Sequence, residues 1–324
     1  MARKLRKKKS GIRRFIKFMM MVTIVAFVYR SLVSTGNEQI PEMQYENIQS
    51  QMPLSIESDF TASVSSDQLY SSNAILIRLT DDTVLMEKNS EKTIYPASLT
   101  KMMTVLVAIE NLPDLDEKIK LTWSMFEGLY EANASMAGFQ AGEQVRAIDL
   151  LYGIMLPSGA ESCIALADYI AGSEENFVKL MNQKAKELGM NNTHFKNTTG
   201  LHSETHYTTV KDLAVLLSNA LQNDTFRDIF TTFCYSVPPT NKHPDGITFY
   251  STMFERLGVQ SIAGGEILGG KTGYTDEAGL CLASLARVGE EEYILITAGA
   301  EGNHFSEQYY ITDALAVYNS IGKQ

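Results

Sequence analysis

Residues 95–104 read Tyr-Pro-Ala-Ser-Leu-Thr-Lys-Met-Met-Thr, and the predicted fold is organised around this stretch. Pro96 holds the residue before it out of helical geometry, and the apolar run from Met102 to Ile109 predicts a helix. Ser98 is therefore expected at a helix start, with Lys101 on the same face and within reach of its hydroxyl. The pair predicts a nucleophile beside a base, provided that Lys101 is desolvated or held near other cations and so is neutral.

The Ser-x-x-Lys spacing is weak evidence when it stands alone. Ordinary composition gives about one chance copy in a chain of this length, and a second copy runs from Ser320 to Lys323. A helix N-cap serine followed by a solvated lysine has the same spacing. Two later segments favour catalysis: a Ser-Gly turn at residues 156–160 and a Lys-Thr-Gly strand at residues 269–275.

The order of these three motifs resembles the active-site set of penicillin-recognising serine acyl enzymes. Longer similarities support it and lie at residues 95–104, 137–143, 150–153, 177–182, 188–190 and 270–281. Over about residues 70 to 320 the chain is similar to D-alanyl-D-alanine carboxypeptidases, which are low-mass penicillin-binding proteins. The resemblance implies removal of a terminal D-alanine from peptidoglycan stem peptides, with β-lactams as inhibitors and no cofactor.

The resemblance also implies a role for each motif serine and for the first lysine. Ser98 is the nucleophile that forms an acyl-enzyme, and Lys101 is the base. Ser158 passes a proton to the departing D-alanine; read without the resemblance, it is an ordinary turn or helix-cap serine.

The third motif is expected to bind the substrate. Lys271 supplies positive charge for the terminal carboxylate and keeps Lys101 neutral by repulsion, while Thr272 offers its hydroxyl to the same carboxylate. Gly273 lets an extended peptide lie along the strand edge. By resemblance, the backbone N–H groups of Ser98 and Tyr274 form the oxyanion hole. The alternative for this segment is a plain surface strand end.

One position departs from the family pattern. The second motif usually reads Ser-x-Asn, and this chain has Ala160 in the place of the amide. A methyl group makes no hydrogen bond, so Glu161 or Ser162, the nearest polar residues, or a water molecule has to supply the contact, or turnover is impaired. This substitution keeps open a second hypothesis, a membrane-tethered penicillin-binding protein that has lost catalysis.

Related activities share the same motifs. A serine β-lactamase also needs a carboxylate that activates the deacylating water, typically in a Glu-x-x-Leu-Asn loop. The segment most similar to this loop motif is Glu187 to Asn191, and it is better explained as the end of a helix. Transpeptidation and endopeptidase action on cross-links use the same residues and stay open.

Charge divides the chain into two unequal parts. Of the 28 basic side chains, ten lie in residues 1–30, which contain no acidic side chain. Residues 31–324 therefore hold the other 18 basic side chains and all 38 acidic ones, so this part of the chain is acidic. An acidic body argues against nucleic acid as a partner. The basic block precedes an apolar run, Phe18 to Tyr29, which predicts either a cleaved secretory signal or a single-span signal anchor.

We favour the uncleaved anchor, with the cleavage alternative near residues 34–36. The basic side stays in the cytoplasm, so the remaining chain faces outward at the cell membrane, or is secreted if the signal is cleaved. The predicted domains are the basic N-terminus and anchor at 1–33, a polar linker at 34–70 and a catalytic domain at 71–324.

The periodicity of the remaining chain predicts an α+β fold, an antiparallel sheet flanked by helices with a helical insertion. Strands are expected at 74–79, 83–87, 247–253, 267–275, 280–287 and 292–299, and helices at 102–109, 163–170, 174–188, 210–221 and 306–321, with the helical insertion spanning 118–168.

Cysteine and histidine give no sign of a metal site. The three cysteines occupy apolar settings and are expected to be buried thiols. The histidines are scattered, and a lysine base makes a catalytic histidine at 194, 202 or 206 unnecessary. We therefore predict no metal.

Overall fold

The computed structural model describes residues 65–321. The predicted anchor, its cleavage site and linker residues 34–64 lie outside the described residues. Within residues 65–321, no helix has the length and apolar content needed to cross a bilayer. The backbone N–H groups of Tyr70 and Ser71 donate to the carboxylate of Asp313 at 2.9 and 2.8 Å, so the start of the described chain is tied to its last helix. The domain boundaries stay a prediction.

The described chain forms ten strands and eight α-helices. The strands are β1 (Asn73–Arg78), β2 (Thr83–Lys88), β3 (Lys118–Lys120), β4 (Gln144–Arg146), β5 (Cys234–Val237), β6 (Ile247–Tyr250), β7 (Ser261–Ile262), β8 (Gly265–Thr275), β9 (Gly279–Val288) and β10 (Glu291–Ala300). The helices are α1 (Thr100–Asn111), α2 (Ala147–Met155), α3 (Ala160–Ala171), α4 (Glu174–Glu187), α5 (Val210–Ala220), α6 (Asp224–Thr231), α7 (Thr252–Leu257) and α8 (Tyr309–Ile321).

A six-stranded antiparallel sheet organises the fold, in the order β2-β1-β10-β9-β8-β7. The N-terminal hairpin pairs with β10, with Ile75 opposite Ile296. Both faces of the sheet are covered. Ile75 and Ile77 pack into the core that contains α1 and most helices, while Leu76 packs into a second core with α8. This alternation explains why β1 reads as an unbroken apolar run.

The structure confirms the predicted fold class, and it corrects several details. Residues 118–168 are not purely helical, because β3 and β4 form a two-stranded ribbon between the helices. The predicted strand 247–253 ends at Tyr250 and pairs with β5 outside the main sheet. Helix α6 was not predicted. Its N-cap, Asn223, accepts a hydrogen bond from the Phe226 N–H at 3.0 Å, a capping signal that the sequence does contain.

One of the cysteine predictions is wrong. Cys163 and Cys281 are buried, as expected, but Cys234 is exposed. Cys234 begins β5, which belongs to the small two-stranded sheet rather than to the core. Its apolar neighbours, Phe233 and Tyr235, indicated burial, but Phe233 itself is 47% exposed. An apolar sequence neighbourhood therefore did not determine where this thiol lies.

Candidate active site

Ser98 lies on a 3-10 turn, Ala97–Leu99, that leads directly into α1. The turn is strained, because Ala97 has a φ of 47°, a left-handed conformation that costs a non-glycine residue energy. Two glycines, Gly200 and Gly273, allow their segments of backbone to pack closely against this turn. A Cβ atom at Gly200 would overlap the Ala97 carbonyl, and one at Gly273 would lie 3.1 Å from the Ser98 nitrogen. The nucleophile is thus held between a loop and strand β8.

Lys101 meets the condition set for a base. Its Nζ atom lies 3.1 Å from Ser98 Oγ and donates a 2.6 Å hydrogen bond to the Thr199 carbonyl. The residue is 2% exposed, and this burial lowers the pKa of its amine. Thr199 holds one N–H of this amine, and the lone pair that the amine has when it is deprotonated can accept the serine proton.

Ser158 and Lys271 form a second serine–lysine pair. Lys271 Nζ donates to Ser158 Oγ at 3.0 Å and to the Thr272 carbonyl at 2.9 Å. Lys271 is fully buried; burial, and then the charge of Lys101, lower the pKa of its amine well below the ordinary value. Ser158 has a φ of 67°. The repulsion expected from Lys271 is not among the causes of the lowered pKa of Lys101, which is due to burial; the charge of Lys101 instead lowers the pKa of Lys271.

The predicted site residues converge on one cleft of about 140 Å³. Six of the seven line it: Ser98, Lys101, Ser158, Thr272, Gly273 and Tyr274. The seventh, Lys271, stays beneath the surface against Ser158. Thr272 Oγ1 lies 2.8 Å from Thr252 Oγ1, at the start of α7. Three segments that are distant in sequence therefore share a single cavity, as the hypothesis requires.

The structure also shows what surrounds Ala160. Ala160 lines the cleft, but Glu161 and Ser162 do not. Because α3 begins at Ala160, each following side chain turns about 100° around the helix axis and away from the cleft. Glu161 accepts hydrogen bonds from the backbone N–H groups of Gly138 and Phe139, at 2.9 and 3.3 Å. Neither of these two candidates for replacing the missing amide therefore lines the cleft.

The histidines singled out in the sequence lie outside the cleft lining. His206 is buried beneath α1 against Thr100 Oγ1, at 2.9 Å, and burial lowers its pKa to about 4. Sequence reasoning did not single out the Thr199 carbonyl, Arg256 on α7 or His304, which are among the cleft residues. No motif marks any of them. Across residues 65–321, no three His, Cys, Asp or Glu side chains are grouped so that they could hold a metal ion.

Comparison with known proteins agrees with this geometry. The family model of D-alanyl-D-alanine carboxypeptidases matches residues 60–302. The chain is 38% identical over 233 residues to the D-alanyl-D-alanine carboxypeptidase DacF of Bacillus subtilis, covering 70% of this chain and 57% of DacF. It is 40% identical over 158 residues to DacC of Escherichia coli, covering 46% of this chain and 39% of DacC.

Solved structures give the same result for the fold. The crystal structure of a Streptomyces DD-transpeptidase superimposes with a TM-score of 0.71 at 28% identity, over 79% of this chain and 98% of that one. The chain spans about half the length of the curated relatives DacF and DacC, at 57% and 39%. By its matched region, its motifs and its fold, the chain belongs to the D-alanyl-D-alanine carboxypeptidase family.

Proposed function

We propose that this chain is a serine carboxypeptidase that removes the terminal D-alanine from peptidoglycan stem peptides through an acyl-enzyme on Ser98. The observation that carries the proposal is the contact between Ser98 Oγ and the buried amine of Lys101, 3.1 Å apart. A lysine in this environment has a lowered pKa, which favours the neutral amine that can act as a base. Family membership supports the substrate class.

The proposed acylation step uses both serine–lysine pairs. Lys101 takes the hydroxyl proton as Ser98 Oγ attacks the carbonyl carbon of the scissile D-Ala-D-Ala bond. When the C–N bond breaks, Ser158 gives its proton to the departing amine and regains one through Lys271, 3.0 Å away. The net transfer is one proton from Ser98 to D-alanine, through the two lysines and Ser158.

Deacylation restores the enzyme. A water molecule attacks the ester carbonyl, its hydroxyl stays on the shortened peptide and its proton returns to Ser98 Oγ. The negative oxygen that develops in both steps is assigned to the backbone N–H groups of Ser98 and Tyr274. The packing of Gly273 against the Ser98 nitrogen supports this assignment, because it brings β8 beside the nucleophile.

The same chemistry supports two further parts of the proposal. A β-lactam presents a strained amide carbonyl to Ser98 and is expected to acylate it. Residues 1–33, with a basic block and an apolar run, are proposed to anchor the chain in the cell membrane with the catalytic domain outside the cytoplasm. Membrane fractionation of the full chain, with and without residues 18–29, tests the anchor.

Release of D-alanine from diacetyl-L-Lys-D-Ala-D-Ala by the full chain tests the reaction. Ser98→Ala is expected to reduce release by at least about 10³-fold, because the nucleophile is absent. Ser320→Ala is the matched control: Ser320 opens the other Ser-x-x-Lys copy, but its hydroxyl bonds the Val317 carbonyl at 2.7 Å. D-alanine release that survives in Ser98→Ala would overturn the proposal.

The Ala160 substitution favours one alternative function, a tethered penicillin-binding protein without turnover. Labelled penicillin trapped on Ser98, with no D-alanine released from the peptide, supports that alternative. Transfer of the acyl group to an added amine, in place of hydrolysis, indicates transpeptidation. Rapid turnover of the penicillin itself indicates a β-lactamase.

A further inference from the structure

Glu161 is a buried carboxylic acid beside the cleft that the proposed mechanism does not use. It is the second residue of α3 and follows Ala160, which lines the cleft. Glu161 is 0% exposed, and its Oε2 atom has no hydrogen-bond partner among residues 65–321. A buried carboxyl group that is only partly hydrogen-bonded costs free energy. Its presence at this position therefore requires an explanation.

The other carboxylate oxygen of Glu161 holds part of the cleft wall. Glu161 Oε1 accepts hydrogen bonds from the backbone N–H groups of Gly138 and Phe139, at 2.9 and 3.3 Å. These two groups lie at the end of segment 133–139, whose first three residues line the cleft. The segment has no regular secondary structure, so its backbone depends on contacts of this kind to stay in place.

Two backbone contacts attach the same segment to the start of α3. The Ala160 N–H donates to the Ser135 carbonyl at 2.8 Å. Gly159 packs so closely that a Cβ atom there would lie 2.6 Å from the Ala137 Cβ. Ser158 directly precedes this junction. The start of α3 therefore holds both the second catalytic serine and the wall beside it.

Glu161 also acts on the catalytic lysine through its charge. Burial lowers the pKa of Lys101, and the Cys163 thiol and the Glu161 carboxylate oppose that shift. The other titratable groups that interact in this interior are Lys271 on β8 and Glu174 on α4. Burial raises the pKa of Glu161, while hydrogen bonds from backbone N–H groups lower it. A negative charge at Glu161 favours the protonated Lys101 that acylation produces.

We propose that Glu161 is a positioning residue of the active site: it clamps segment 133–139 against α3, which fixes the cleft wall beside Ser158, and its charge stabilises the proton that Lys101 takes from Ser98. The inference rests on the proposed function. The methyl group of Ala160 offers this wall no hydrogen bond, whereas the next side chain along the helix does so from beneath the surface.

Three substitutions separate the clamp from the charge. Glu161→Ala removes both, whereas Glu161→Gln keeps an oxygen that can accept the two N–H bonds and removes the charge. Asp168→Asn is the matched control. Asp168 is a carboxylate on the same helix, about two turns farther along and outside the cleft lining, and burial raises its pKa as well. The second-order rate constant for acylation of Ser98 by a penicillin is measured for each full-length variant as a function of pH.

Glu161→Ala is expected to lower this rate constant by about 10²-fold at a temperature where the variant is folded, because a wall displaced by about 1 Å misplaces the reacting groups. Glu161→Gln should lose less than about tenfold, since a neutral acceptor makes weaker hydrogen bonds. Its profile should also move to lower pH on the side where protonation of Lys101 stops acylation, because the charge that raises the Lys101 pKa is gone.

Asp168→Asn should match the parent in both rate and profile. Parental acylation by Glu161→Ala, an unshifted profile in Glu161→Gln, or the same changes in Asp168→Asn overturn the inference.

Hydrogen exchange gives a second readout that requires no reaction. Backbone amides of segment 133–139 should exchange slowly in the parent and in Asp168→Asn, and faster in Glu161→Ala, because the clamp limits local opening. Unchanged exchange in Glu161→Ala refutes the clamp, whatever the activity of the protein. Acylation and exchange that respond to Glu161 in a chain that releases no D-alanine refute the carboxypeptidase proposal and support the positioning role.

Discussion

Ser158 allows backbone strain and catalysis to be separated by experiment. Its φ of 67° lies in the left-handed region, which costs a residue with a Cβ atom about 1–2 kcal/mol. Glycine avoids that cost, although its greater conformational freedom in the unfolded chain lowers the unfolding free energy by about 0.5–1 kcal/mol. Ser158→Gly should therefore be more stable than Ser158→Ala by about 0.5–1 kcal/mol.

Both variants remove the hydroxyl that accepts the Lys271 hydrogen bond at 3.0 Å. A buried donor without its partner costs about 1–3 kcal/mol, and this loss is common to the two. Relative to the parent, Ser158→Ala is expected to lose about 1–3 kcal/mol and Ser158→Gly somewhat less. For a folded domain of this size, the two melting temperatures should differ by about 1–4 °C.

The activities of the two variants should agree even though their stabilities differ. Loss of a proton relay lowers kcat/KM by about 10²- to 10⁴-fold, and neither alanine nor glycine replaces the relay. The assays are thermal unfolding of each variant and D-alanine release at a temperature where both are folded. Equal stabilities would refute the strain argument. Near-parental activity in Ser158→Gly would refute the relay role of Ser158.

Three further predictions rest on contacts in the same region. Burial lowers the pKa of Lys101 from 10.5 in the folded chain, so between the folded and the unfolded pKa values the unfolded chain binds one proton more. The unfolding free energy should therefore rise with pH in that window. Denaturant titrations at several pH values should show a weaker rise for Lys101→Met. Gly273→Ala would place a Cβ 3.1 Å from the Ser98 nitrogen and should slow penicillin acylation about tenfold or more, with little change in melting temperature. A thiol reagent should label Cys234 alone in the native protein and all three cysteines after unfolding, because burial raises the pKa of the other two thiols to about 12; two fast native thiols would contradict this burial.

Much of the fold followed from local pattern. The strands at 267–275, 280–287 and 292–299 lie within β8, β9 and β10, and the apolar residues at 280–283 and 293–296 give the last two the short apolar runs that predict buried strands. The small two-stranded sheets and α7 were missed or misassigned. Strands of three or four residues carry too little periodicity to be distinguished from helix or loop.

The sequence by itself determined the reactive residue types and their order: a serine three residues before a lysine, a second serine, and a Lys-Thr-Gly strand. These motifs can be recognised in the sequence because each one lies within a single turn or a single strand, so its residues are close together along the chain. The tertiary structure alone decided how those groups behave. Lys101 has a lowered pKa and Arg256 is exposed because of what packs around each side chain. Desolvation depends on segments that are distant in sequence, so no local pattern encodes it.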